Sequence, residues 1–111
     1  MVVSEVAEKL GLRILARGCD SPVSGGYVAD LLSDVIANAV EGCIWITVQQ
    51  HLNIIAVAQL KKVAAILIPH GNLPDASVLE RAGKEGIFML QGDSSAFALC
   101  GRLYNLLGTS T

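Results

Sequence analysis

The residues best suited to chemistry are two histidines, an aspartate and a serine, each in a short polar turn. His70 lies in Pro69-His70-Gly71-Asn72, directly after the apolar run "AAILI". His51 lies in Thr47-Val48-Gln49-Gln50-His51-Leu52-Asn53, after the run that begins at Cys43. Asp93 and Ser94 lie in Gln91-Gly92-Asp93-Ser94-Ser95, after "IFML". Imidazole exchanges protons near neutral pH. A serine attacks only with a base and an orienting group in reach. Ser94, His70 and Asp93 would fill those roles in a small enzyme. No G-x-S-x-G elbow supports that reading. "GNLPDAS" lacks the Gly-Lys-Ser/Thr ending of a phosphate-binding loop. Two histidines without a third ligand make no zinc site, and Cys19, Cys43 and Cys100 show no metal or CxxC spacing. The expectation is no catalytic residue, no metal and no required cofactor. Asn53, Asp93 and Ser94 also suit helix caps, and the histidines suit plain loops.

Regular elements must hold these turns. "SEVAEKL" (4–10) reads as a helix capped by Ser4 and ended by Gly11, and "LRILA" (12–16) as a strand. Residues 17–26 carry turn chemistry, and Gly25-Gly26 reads as a tight bend or close backbone approach. "YVAD" reads as a short strand. "DLLSDVIANAV" (30–40) has the one-sided stripe of a helix, with Asp30 as its cap. A strand at 43–48, a helix from Asn53, a strand at 64–68, a helix at 74–86, a strand at 87–90 and a helix capped by Asp93 or Ser94 follow. The strands are apolar throughout, as in a parallel sheet covered on both faces. The predicted fold is a single α/β domain spanning residues 1–111, a three-layer α/β/α sandwich with a mostly parallel sheet and repeated βα units. Parallel strands end on one edge, where helix N-termini also open and where ligands bind in such sheets. The candidate ligand-binding residues are therefore Gln49, His51, Asn53, His70, Gly71, Asn72, Asp93 and Ser94.

Composition limits the partners. Of 111 residues, 52% are hydrophobic and only 16% charged, more apolar surface than so small a domain hides easily. A homodimer is the simplest partner, and the last helix, with Phe97, Cys100, Leu103, Tyr104 and Leu107 over a wide arc, is one place for its contact. The net charge of −2, with no basic cluster beyond Lys61-Lys62, argues against nucleic acid. No apolar run is long enough to span a bilayer, and acids stand where a signal sequence would be basic. A cytoplasmic protein with no membrane contact is expected, with Cys43 and Cys100 as reduced, buried thiols. Trp45, between Ile44 and Ile46, reads as core.

From about residue 4 to 108, and most clearly in "VADLLSDVIANA" and "GDSSAFALCGRLY", the chain resembles the DRTGG domain family. That family is associated with CBS domains and with phosphotransacetylase-type proteins. It is similar in fold to the N-terminal domain of HPr kinase/phosphorylase, hence "serine kinase-like" labels without a P-loop. The resemblance implies a three-layer α/β/α fold, no catalysis, and a regulatory or ligand-sensing role. The family's namesake turn falls at Pro69-His70-Gly71, where only the glycine is kept, and no Asp-Arg pair stands near Gln49-Gln50-His51. No family signature residue carries over. Two functions follow as expectations. One is a dimeric regulatory module taking a small anionic or nucleotide-like ligand, or a protein, at the strand-end turns. The other is an assembly domain without ligand.

Overall fold

The computed structural model describes residues 1–108. Helix α1 spans Val3–Leu10, β1 Arg13–Ala16, β2 Gly25–Val28, α2 Leu32–Asn38 and β3 Cys43–Ile46. Then come α3 Asn53–Lys61, β4 Ala65–Ile68, α4 Ala76–Lys84, β5 Phe88–Gln91 and α5 Ala96–Leu107. The sheet has five strands in the order β1-β5-β4-β3-β2. Strands β2, β3, β4 and β5 run parallel, and β1 lies antiparallel on β5 with an irregular register between Ile14 and Ala16.

Two cores explain why the central strands are apolar without alternation. Trp45, Ile66, Ile68 and Met89 point to one face, where they meet Val35, Ile54, Ala58, Val78 and Ala82 from α2, α3 and α4. Ile44, Ile46, Leu67, Phe88 and Leu90 point to the other, where they meet Val3, Val6, Leu99 and Leu103 from α1 and α5. This is the expected α/β/α sandwich with a mostly parallel sheet. Trp45 is fully buried and its Nε1 donates to the Ala29 carbonyl at 2.9 Å, as a core residue should.

Several local expectations are corrected. The second strand starts at Gly25, so Gly25-Gly26 is strand rather than bend. Gly26 does allow a close approach, because a Cβ there would come 2.9 Å from Leu103 Cδ2 of α5. Ser4 lies inside α1, where its hydroxyl and amide both donate to Asp20, while the Glu5 carboxylate accepts from Val2 N at the helix start. Asp30 does not cap α2; Leu31 holds that position. Asn53 is the first residue of α3, not its cap, and its N–H donates to His51 Nδ1. Ser95, rather than Asp93 or Ser94, caps α5, its Oγ accepting from Ala98 N at 3.1 Å. Ser4 and Asp30 each bond a partner outside the helix they were expected to cap. Cys43 is buried, which raises its thiol pKa, but Cys100 is only partly buried.

Two contacts tie the periphery down. The β1–β2 loop crosses β5 so closely that a Cβ on Gly18 would fall on the Gly86 carbonyl oxygen and 2.5 Å from Phe88 N. Tyr27 Oη of β2 donates to Asp34 Oδ1 of α2 at 2.6 Å, and Asn38 Nδ2 donates to the same oxygen at 2.7 Å. The Tyr27 bond, and then the Asn38 bond, hold the Asp34 carboxyl below its usual range.

Gly18→Ala is expected to cost about 1–3 kcal/mol, since backbone rather than a flexible side chain must yield; urea titration reads this as a lowered midpoint. Asp34 has a depressed folded pKa, so its stabilisation is present above the unfolded carboxylate pKa and is lost as pH falls through the folded one. Asp34→Asn should thus melt below the wild type at neutral pH and converge with it in acid. A gap of equal size at about pH 7 and about pH 3 would refute this linkage.

Candidate functional site

The parallel strands β2 to β5 deliver four connections to one edge of the sheet: 29–31, 47–52, 69–75 and 92–95. Strand β1 runs the other way, so its first residue, Arg13, arrives at this same edge opposite Gln91. The edge therefore gains a cation from the one strand that breaks the parallel pattern.

Gln91 organises one half of this rim. It is only 5% exposed, at the end of an apolar strand. Its Nε2 donates to the carbonyls of Gly71 (3.1 Å) and Asn72 (2.8 Å), and its Oε1 accepts from Arg13 Nη1 at 2.8 Å. Every polar atom of the buried amide is thus used. The same Arg13 nitrogen lies 3.3 Å from Asp93 Oδ1 in an exposed ion pair. Backbone bonds finish the arrangement: Gly71 N donates to Gly92 O, and His70 N to Ser94 O, both at 2.8 Å. His70 and Gly71 both have φ of +63°, and Asn72 N donates to Pro69 O, so two left-handed residues make the turn. Left-handed backbone is costly for a residue with a Cβ, though histidine tolerates it better than branched types. A Cβ on Gly71 would come 3.3 Å from Asp93 Oδ1.

Asp30 organises the other half. Its Oδ1 accepts from Thr47 Oγ1 and Val48 N, both at 2.9 Å. Gln49 Nε2 donates to the Asp30 carbonyl, and Gln49 N to Thr47 Oγ1, each at 3.1 Å. This carboxylate takes over the loop after β3, which is why it is not free to cap α2.

The expected site residues thus fall into two groups at the ends of neighbouring strands. His70, Gly71, Asn72, Asp93 and Ser94 gather around Gln91; Gln49, His51 and Asn53 follow β3. Among the described residues no side-chain hydrogen bond joins the two groups. Nor do the side chains of Ser94, His70 and Asp93 bond to one another; Asp93 faces Arg13. Sequence reading missed Arg13, Asp30, Thr47 and the anchoring role of Gln91. Thr47 and Gln91 carried a signal, each being a polar residue that extends a buried apolar strand. The rim also exposes apolar side chains on three of the four connections, Leu31, Val48, Leu52 and Leu73, and, most of all, Phe97 at 90% in the first turn of α5. Two hollows lie elsewhere. One of about 150 Å³ runs between β2 and α5. The other, about 470 Å³ and lined by Ser24, Gly42 and Lys62 among others, lies beside the strand starts.

No family model and no curated protein matches the sequence. A solved structure does match the fold. It is the crystal structure of the CBS and DRTGG domains of the regulatory region of Clostridium perfringens pyrophosphatase, complexed with activator, diadenosine tetraphosphate. The TM-score is 0.72 at 20% identity, over 91% of this chain and 44% of that one. This chain therefore spans less than half the length of its structural neighbour. The shared fold agrees with the DRTGG resemblance.

Gln91→Leu should cost about 1–3 kcal/mol, because it leaves the part-buried Gly71 and Asn72 carbonyls without their donor. Hydrogen exchange should then speed up at the amides of His70 and Gly71 while the β3 amides stay protected. Uniform acceleration across the sheet would contradict a local anchor.

Proposed function

We propose that this chain is a non-catalytic regulatory module of the cytoplasm that senses a small anionic, nucleotide-like ligand at the strand-end rim. The observation that carries this reading is Arg13. A guanidinium is delivered to the rim by the antiparallel strand, fixed through buried Gln91, and paired outward only with exposed Asp93. Exposed ion pairs are worth roughly 0–1 kcal/mol, so a phosphate can replace Asp93 at little cost and bind bidentately. Phe97, one helical turn past Asp93, offers a bare aromatic face to a base. Support also comes from the structural neighbour, a regulatory region complexed with a nucleotide activator. The lack of contact among Ser94, His70 and Asp93 favours sensing over catalysis.

A second reading is an assembly module without ligand, whose rim docks a protein. The exposed apolar residues on three connections and Phe97 at the start of α5 favour it.

Thermal melts with pyrophosphate, adenosine diphosphate and adenosine separate the two. On the sensing reading, the diphosphate at ~100 times its Kd adds about 2.7 kcal/mol, a rise of several degrees. Arg13→Ala abolishes that rise, and added salt weakens it. Melting temperatures unmoved by all three compounds, with an intact complex on a partner after Arg13→Ala, establish the assembly reading instead.

A further inference from the structure

The sheet has two edges, and they are built differently. At the β1 edge the register is irregular and Arg13 begins the strand, features that discourage pairing with another chain. The β2 edge has neither device. Its residues, Gly25-Gly26-Tyr27-Val28, include no charge and no proline, and they pair with β3 in unbroken register. Ala29 N donates to Ile46 O, which sets the parity of the parallel ladder. Odd-numbered residues of β2 bond to β3, so the N–H and C=O of Gly26 and Val28 point outward. Val28 is half exposed.

On its α5 side, the surface beside this edge is apolar and uncharged. The 150 Å³ groove between β2 and α5 is lined by Gly26, Tyr27, Val28, Cys100, Leu103 and Tyr104, among others. Arg102, the one charged residue of α5, is turned away, its Nη2 donating to the Leu10 carbonyl at 2.6 Å. A partner recognised by charge has nothing to hold here. On the α5 side a second copy meets no like-charge repulsion, although each carries a net charge of −2; the Asp34 carboxylate lies on the α2 side, bonded to Tyr27. A strand edge is also self-complementary: across a two-fold axis it meets itself antiparallel, and both rows of outward groups are satisfied. A standard interface takes ~800 Å² per partner. That is about one-seventh of the 5678 Å² surface of this chain, a share that one edge strand and the twelve-residue helix beside it can supply.

We propose that two copies of this chain join through β2 in antiparallel register, with α5 packing against α5, to make one continuous ten-stranded sheet. Arg13 and Gln91 lie on β1 and β5, at the other side of the sheet from β2, so this association is tested separately from ligand sensing.

Sedimentation velocity from about 1 to 100 μM tests it, that range bracketing micromolar affinity. The wild type should reach twice 11.6 kDa. Val28→Pro removes one outward N–H at an edge position where proline is tolerated, and Val28→Lys sets like charges across the axis. Both should remain monomeric throughout with unchanged circular dichroism. Leu60→Lys, on an exposed position of α3, should dimerise like the wild type. As a measure free of mutation, the amides of Gly26 and Val28 should exchange more slowly at high than at low concentration. A wild type that stays monomeric at the top concentration overturns the proposal, including one that instead captures an extended peptide. So does a dimer that survives Val28→Lys, or one lost on Leu60→Lys, or exchange at Gly26 and Val28 that ignores concentration.

Discussion

Parallel pairing of β2, β3, β4 and β5 is the constraint on which everything else in this molecule depends. Parallel strands need helices to return the chain, so both faces of the sheet are covered and two cores form. They also end together, so four polar connections share one edge. Had β4 and β5 run antiparallel, His70 and Asp93 would lie at opposite ends of the sheet. Instead His70 N bonds to Ser94 O, and the turns are stitched into one surface.

The exception to the rule is as informative as the rule. Strand β1 reverses direction, and the reversal brings Arg13 to the polar edge. Gln91 turns that coincidence of position into a fixed geometry. A buried amide must satisfy its donors and acceptor, and here it does so with two different segments, the turn after β4 and strand β1. The surrounding groups at the rim are short-range and specific, while the side chains of Leu31, Leu73 and Phe97 stand largely exposed. Rigid polar anchors beneath open apolar side chains are what a binding surface requires.

The layers were legible in the sequence because they rest on period and composition. Runs such as "AAILI" and "CIWI" without alternation imply burial on both faces, and the stripe of Val35 and Ala39 implies a helix packed on one side. The caps were not legible. Asp30, Asn53, Asp93 and Ser94 all have the chemistry to cap, but capping is decided by what else lies within 3 Å, and Asp30 finds Thr47 and Val48 instead. Arg13 was invisible for a related reason. Its place at the rim follows from the direction of an edge strand paired across 78 positions, and no local pattern carries that information. The close approach expected at Gly26 was correct, but its setting was a strand, since Leu103 of a distant helix is what demands the missing side chain.

The pairing of β1 with β5 has a consequence for how the protein is made. Helix α1 and strand β1 are synthesised well before the strand that receives one and the helix that packs on the other. Arg102 gripping the Leu10 carbonyl is the clasp that shuts this long loop. Until β5 and α5 have been made, Val3, Val6 and Leu10 lack the Phe88, Leu90, Leu99 and Leu103 side chains they pack with, and closure of this core waits for them. During synthesis helix α1 therefore stays apolar and uncovered, a target for chaperones and proteases, and its docking is a late event rather than a gradual accretion.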